Sequence, residues 1–122
     1  MPIPAAKAAP ASYAYLFLDD GVDLEAEFQK HAREWRRETR VLSSIQKKVS
    51  NAHYQRIIGM GKPVLPLIFR ELKEHGGYWY WALECITGLN PAASAASIAE
   101  ATRTWLEFAA SAHYINVDKG RN

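Results

Sequence analysis

The sequence has few of the features that disulfide-stapled, secreted and membrane-spanning proteins require. Its 122 residues include one cysteine, Cys85, so no disulfide can form within the chain, and a lone thiol suits a reducing compartment. The apolar run nearest the start, Tyr13 to Leu18, is shorter than the core of a signal peptide. No stretch approaches the roughly 18 consecutive apolar residues of a membrane span. We therefore expect a cytoplasmic protein with no membrane contact.

Ligand patterns for metals and cofactors are also scarce. The four histidines, His31, His53, His75 and His113, show neither His-x-x-x-His nor Glu-x-x-His spacing, and one cysteine adds no ligand set. The motif GMGKP at 59–63 has proline where a phosphate loop has the Ser or Thr that meets magnesium. We expect no metal ion and no small-molecule cofactor.

The side chains that come nearest to a catalytic set are Glu38, Ser43 and His53, which would have to meet where the first helix bends. A hydrolase of this kind also needs a strained nucleophile turn and an oxyanion loop, and neither has a signature in the sequence. Ser43 and Ser44 more simply allow a kink or a new helix cap, and Cys85 is typical of a small core residue on a helix. We predict that the chain is not an enzyme.

Apolar residues recur at helical spacing over most of the chain, and no segment has the β-branched enrichment and alternation of a strand. Asp23 is the predicted N-cap of a long amphipathic helix that is broken near Ser43-Ser44. The apolar stripe of this helix comprises Leu24, Phe28, Trp35, Thr39, Leu42, Ile45 and Val49. We predict an all-α fold, a compact bundle of about five helices.

The later helices have recognisable starts and stops. Ser50 or Asn51 is the expected cap of the second helix, and Ser94 or Ser97 that of the last. Glycine stops are expected at Gly59 or Gly61, within HGG at 75–77, and at Gly88. The last helix should carry Ile98, Thr102, Trp105, Leu106 and Ala109 on one face.

Composition divides the chain into four parts. Residues 1–12, rich in alanine and proline, are predicted to be a disordered arm, and 13–22 an extended segment or linker. Residues 23–115 hold nearly all the apolar side chains and are predicted to form a single helical domain. The polar end, 116–122, should fray. The expected architecture is therefore one helical bundle with a flexible N-terminal arm.

Residues 60–88, MGKPVLPLIFRELKEHGGYWYWALECITG, resemble a HEAT-like repeat, in which two short helices form a pair. The matching residues are Gly61, Pro66, Leu67, Ile68, Leu72, Ala82, Leu83, Ile86 and Gly88. The wider segment 34–115 resembles a family of small uncharacterised bacterial helical proteins that carry WRRETR, SS, HYQRIIGMG and WALECITG in this order. One repeat unit cannot bury both of its faces. The resemblance therefore implies a compact domain around one HEAT-like helix pair, covered by helices from 24–58 and 97–113.

The formal net charge of +2 is small, but the charges are unevenly distributed. Arg33, Arg36, Arg37 and Arg40 recur at i, i+3, i+4 and i+7 and share one side of the first helix, which we call the arginine face. From residue 30 to residue 56, eight lysines and arginines stand against two glutamates. Such a face is either solvated surface that complements the helix dipole, or a site for an acidic protein or for nucleic acid.

The segment HGGYWYW at 75–81 places four aromatic residues beside two glycines. Trp79 and Leu83 share one side of the predicted helix, so Tyr80 and Trp81 point elsewhere. These two rings either cover the open edge of the helix pair or serve as exposed anchors for a partner.

Together these features favour a non-catalytic protein-protein interaction module of the adaptor, antitoxin or regulator type. The predicted partner-binding residues are Arg33, Arg36, Arg37, Arg40, Tyr80 and Trp81. The alternative is a nucleic-acid-binding protein that uses the same arginine face, extended by Lys47 and Lys48, and whose affinity falls steeply with salt.

Overall fold

The computed structural model describes residues 23–114, so the predicted arm (1–12), linker (13–22) and frayed tail (116–122) lie outside the described residues. Between 23 and 114 the regular secondary structure is helical, with no strand, which confirms the all-α prediction. The helices are α1 Leu24–Thr39, α2 Ile45–Val49, α3 Ala52–Met60, a 3₁₀ turn Lys62–Val64, α4 Leu65–His75, α5 Tyr80–Thr87 and α6 Ile98–Ser111. None of them has the length and apolar content needed to cross a membrane.

Six α-helices are present in the described segment where about five were expected, because the first predicted helix is divided in two. α1 ends at Thr39, and residues 40–44 lead to the five-residue helix α2. The hydroxyl oxygen of Ser44 accepts a hydrogen bond from the backbone N–H of Lys47 at 3.2 Å. The serine pair therefore supplies a new helix cap, one of the two roles expected for it.

Short polar side chains also start α1, α3 and α6, where the first backbone N–H groups have no partner within the helix. Asp23 Oδ1 accepts from the N–H of Glu25 at 3.0 Å. Asn51 is the cap of α3 and Ser97 the cap of α6, which decides both alternatives that the sequence left open. These three caps fix where α1, α3 and α6 begin.

The first half of the core is a cluster of four aromatic rings, Phe28, Trp35, Tyr54 and Trp79, each at most 3% exposed. The ring centroids of Trp35 and Trp79 are 4.6 Å apart, and those of Tyr54 and Trp79 are 5.8 Å apart in a stacked arrangement. Trp35 Nε1 donates to the carbonyl of Lys48 at 2.9 Å, which joins α1 to α2. Aromatic pairs of this kind stabilise by about 0.5–1.5 kcal/mol beyond their burial.

The hydroxyl group of Tyr54 fastens α3 to the start of α5. It donates to the carbonyl of Tyr78 at 3.0 Å and accepts from the backbone N–H of Ala82 at 3.0 Å. Burial raises the pKa of Tyr54, so the hydroxyl keeps its proton and both hydrogen bonds persist at neutral pH.

The second half of the core joins α4 to α6. The ring of Phe69 on α4 lies 6.2 Å from that of Trp105 and 6.4 Å from that of Phe108, measured between centroids. Trp105 is buried, and α6 packs against α4. The HEAT-like character of the pair α4 and α5 stays a prediction.

One expectation about the core is wrong. Cys85 is exposed, whereas the sequence suggested a small core residue. Ala82 and Leu83 take the buried side of α5, and the thiol projects from a different side of this short helix.

Candidate functional site

The arginine face is exposed on α1, but neighbouring carboxylates engage two of its four guanidinium groups. Arg36 forms an ion pair with Glu71 of α4, whose side chain is only 4% exposed. His75 Nδ1 lies 3.4 Å from the same carboxylate. Arg36 therefore joins α1 to α4 and neutralises a buried charge.

Arg37 lies against two acids of its own helix. Its Nε donates to Glu34 Oε1 at 3.0 Å, and its guanidinium is 3.7 Å from Glu38. The hydrogen bond from Arg37 to Glu34 lowers the pKa of Glu34 and raises the pKa of Arg37. Arg33 and Arg40 are exposed and form no ion pair with another residue between 23 and 114. Within the described segment, half of the arginine face is therefore without an ion pair.

A groove of about 430 Å³ lies between α5, α6 and the loop that connects them. We call it the tryptophan groove. Its walls include Tyr80, Trp81, Glu84, Ile98, Ala101 and Trp105. No residue of the arginine face lines it, so the structure does not bring the predicted arginines and the predicted aromatics into one cavity.

Trp81 is the most exposed of the four tryptophans. Its exposed fraction is 43%, whereas the other three are at most 3% exposed. Ile98, which lines the same groove, is 60% exposed. The sequence did not single out Ile98 as a site residue, although the expected cap at Ser97 could have indicated its position. A cap at Ser97 puts Ile98 in the first turn of α6, before the helix reaches the core at Trp105.

Tyr80 has a structural role beside the groove. It is half-buried, and its hydroxyl oxygen lies 2.7 Å from the hydroxyl oxygen of Thr102 on α6. Its ring meets that of Tyr78 edge-on, with centroids 4.9 Å apart. Tyr80 therefore holds α5 against α6 and keeps the wall that carries Trp81 in place.

Two histidines that stand 22 residues apart in the sequence meet where α1 packs on α3. His31 Nδ1 and His53 Nδ1 are 2.9 Å apart, and His53 Nε2 lies 3.4 Å from Glu38 Oε2. The other oxygen of Glu38 accepts from Asn51 Nδ2 at 2.9 Å. Glu34 lies one helical turn before Glu38, and its carboxylate offers a ligand atom within 4.8 Å of those of Glu38 and His53. We call these five residues the histidine cluster.

His31 is the buried member of the histidine cluster, at 8% exposure. Burial lowers its pKa, and the neighbouring His53 lowers it further. The neutral imidazole is therefore favoured at neutral pH. Spacing along the sequence did not reveal the cluster because its members come from two helices.

A second groove, of about 630 Å³, runs between α1 and α3 beside the histidine cluster. Leu24, Glu27, His31, Arg56 and Met60 are among its walls. His31 belongs both to this groove and to the cluster. The sequence pattern contained no signal for it, because a groove between packed helices depends on their separation.

Glu38, Ser43 and His53, the side chains that come nearest to a catalytic set in the sequence, are only partly assembled. Glu38 and His53 meet, but Ser43 forms no hydrogen bond with His53 in the described segment. The second serine, Ser44, uses its hydroxyl as the cap of α2.

Comparison of the chain with family models, with curated proteins and with solved structures gives no match.

Proposed function

We propose that the chain is a non-catalytic protein-binding module, of the adaptor, antitoxin or regulator type, whose partner docks at the tryptophan groove. The observation that carries the proposal is the exposure of Trp81 in a groove that also exposes Ile98. Tryptophan is the residue most enriched among binding hot spots, and a cluster of large apolar side chains left in water is typical of a binding surface.

The chemistry of the groove indicates what its partner presents. Trp81 and Ile98 call for an apolar side chain that fills the space between them. Glu84 is the acidic residue among the lining side chains, so a lysine or arginine beside that apolar side chain would complement the groove. A standard interface buries about 800 Å² on each partner, so the contact would extend beyond the groove onto α5 and α6.

The arginine face supports a second candidate, binding of nucleic acid. Arg33 and Arg40 are exposed without an ion pair in the described segment, and Lys47 on α2 is also exposed. Each phosphate contact made by these side chains would add about one unit to the slope of log affinity against log salt. The same two arginines would alternatively meet acidic groups at the edge of a protein partner.

A pull-down of the tagged chain from host lysate separates these proposals. We expect a stoichiometric protein band that survives moderate salt, disappears with Trp81→Ser and persists with Trp81→Phe. The variant Arg33→Glu plus Arg40→Glu is the test of the second candidate. Nucleic acid that elutes as salt rises, and that is lost only in the arginine variant, would replace the first proposal by the second.

Three further features belong to this proposal. A cytoplasmic location rests on the single cysteine. A bacterial origin and a HEAT-like character for α4 and α5 rest on the sequence resemblance alone.

A further inference from the structure

We propose that Glu34, Glu38 and His53 form a binding site for a divalent transition metal ion, with Zn²⁺ as the best-fitting ion. One ligand atom from each residue lies within 4.8 Å of the other two. The two carboxylates stand on adjacent turns of α1, and the imidazole comes from the first turn of α3. This site is separate from the tryptophan groove and does not depend on the proposed function.

The spacing of the ligand atoms fits a tetrahedral ion. Zinc binds imidazole nitrogen and carboxylate oxygen at about 2.1 Å, which places neighbouring tetrahedral ligands about 3.4 Å apart. His53 Nε2 and Glu38 Oε2 are already 3.4 Å apart. Glu34 has to approach more closely, so its side chain, which is 31% exposed, has to leave its ion pair with Arg37. Two carboxylates and a neutral imidazole together balance the charge of the ion.

A chain of hydrogen-bonding partners orients His53 as metal ligands in proteins are oriented. Glu27 Oε1 lies 3.5 Å from His31 Nε2, so His31 is placed to carry its proton on Nε2. His31 Nδ1 is then an acceptor for the proton on His53 Nδ1, 2.9 Å away. A bound cation favours this tautomer, because the lone pair of His53 Nε2 then faces the ion between the imidazole and the carboxylates. His31 is in this account a positioning residue.

Asn51 orients the second ligand in the same way. Its Nδ2 donates to Glu38 Oε1 at 2.9 Å and leaves Oε2 facing His53. Asn51 is also the cap of α3, since its Oδ1 accepts from the N–H of His53 at 2.8 Å. The residue that starts α3 thus fixes both a ligand carboxylate and the backbone of the ligand histidine.

Arg37 is the competitor for this site. It pairs with Glu34 and lies 3.7 Å from Glu38, so a metal ion has to displace it. The Arg37 side chain is 61% exposed and can move into solvent. Removal of the Arg37 side chain would eliminate a competing surface ion pair, and we expect the metal affinity to rise by about 2–5-fold.

The test is a metal titration of the full chain after treatment with chelator and dialysis. Co²⁺ is followed by its visible absorption, and Zn²⁺ by competition with a chromogenic chelator. We expect one equivalent of either ion to bind with a dissociation constant below about 100 µM, while Mg²⁺ does not compete, because imidazole suits zinc and cobalt.

Variants identify the ligands. His53→Gln, and separately Glu34→Gln plus Glu38→Gln, should abolish the binding, and circular dichroism checks that each variant is folded. His31→Gln should weaken binding by about 10–100-fold, as the loss of an orienting partner does. Arg37→Gln should strengthen it. The matched control is His75→Gln, since His75 faces Glu71 on α4 in a comparable pair.

Two results would overturn the proposal. One is the absence of one-to-one binding of Zn²⁺ or Co²⁺ to the wild-type chain in this concentration range. The other is binding that His75→Gln removes and His53→Gln leaves intact, which would place the ion elsewhere.

Discussion

Arg36 was predicted from the sequence to bind a partner, and the structure gives it a role that a stability measurement can test. Glu71 is 4% exposed, so removal of Arg36 leaves a carboxylate inside the protein with little compensation. Breaking a fully buried ion pair costs about 3–5 kcal/mol. Two features reduce that figure for Arg36→Ala. The arginine side chain is 45% exposed, and His75 Nδ1 stays 3.4 Å from the carboxylate.

We therefore expect Arg36→Ala to lower the free energy of unfolding by about 2 kcal/mol, and the melting temperature by about 8–16 °C for a domain of this size. Thermal and urea unfolding followed by circular dichroism measure both. Arg40→Ala is the matched control, because Arg40 lies on the same face without an ion pair in the described segment. It should stay within about 0.5 kcal/mol of wild type.

A second variant separates the lost charge pair from lost packing. Adding Glu71→Gln to Arg36→Ala removes the buried charge, so the double variant should recover about 1 kcal/mol relative to Arg36→Ala alone. The reasoning is refuted if Arg36→Ala is as stable as Arg40→Ala, or if the double variant is no more stable than Arg36→Ala alone.

Three further results are expected. Tyr54→Phe should cost about 1–3 kcal/mol in urea unfolding, because it strands a carbonyl and an N–H group at the start of α5. Gly61→Asn should cost about 1–3 kcal/mol, because Gly61 has φ 75° and ψ −159°, a region open only to glycine. Gly88→Asn should cost much less, because Gly88 has φ 74° and ψ 10°, a conformation that asparagine tolerates. Although Cys85 is exposed, desolvation by its surroundings and the charge of Glu84 raise the pKa of its thiol. Iodoacetamide should therefore alkylate it more slowly at pH 7.5 in the folded chain than in urea, and the folded rate should rise as pH increases.

Each of these has a contradicting result. Tyr54→Phe with wild-type stability would mean that the hydroxyl contacts contribute nothing. Equal losses for the two glycine variants would remove the argument from backbone conformation. Faster alkylation of the folded chain at pH 7.5 would show an activated thiol and would reopen the question of a nucleophile.

The fold was predictable because its signals are local. Asp23, Ser44, Asn51 and Ser97 are short polar side chains placed before apolar periodicity, and each caps a helix where such residues satisfy free N–H groups. The buried residues Trp79, Ala82 and Leu83 recur at helical spacing. These features depend on a few adjacent residues, so one sequence contains them.

The candidate sites were only partly predictable because they depend on contacts between helices. The helical period put four arginines on one face, but nothing in α1 reveals that Glu71 of α4 approaches Arg36. The pairing of His31 with His53 depends on how α1 crosses α3. The exposure of Ile98 follows from the cap at Ser97, yet it also requires knowing that α6 first meets the core at Trp105.

The ion pair of Arg36 also changes how binding should be tested. A charge reversal at Arg36 would place a second carboxylate beside the buried Glu71 and destabilise the fold, so lost binding would not by itself identify a binding surface. Arg33 and Arg40 are the positions at which the arginine face can be altered without that consequence.

The central claim is that a protein partner docks at the tryptophan groove, and the most direct test is site-specific photo-crosslinking in the host cell. A photoreactive phenylalanine is placed at Trp81, and in a separate chain at Arg103, which is exposed and on the opposite side of α6 from the groove. We expect a crosslinked protein of one defined mass from position 81 and none from position 103. No crosslink at 81, or the same products from both positions, would contradict the claim.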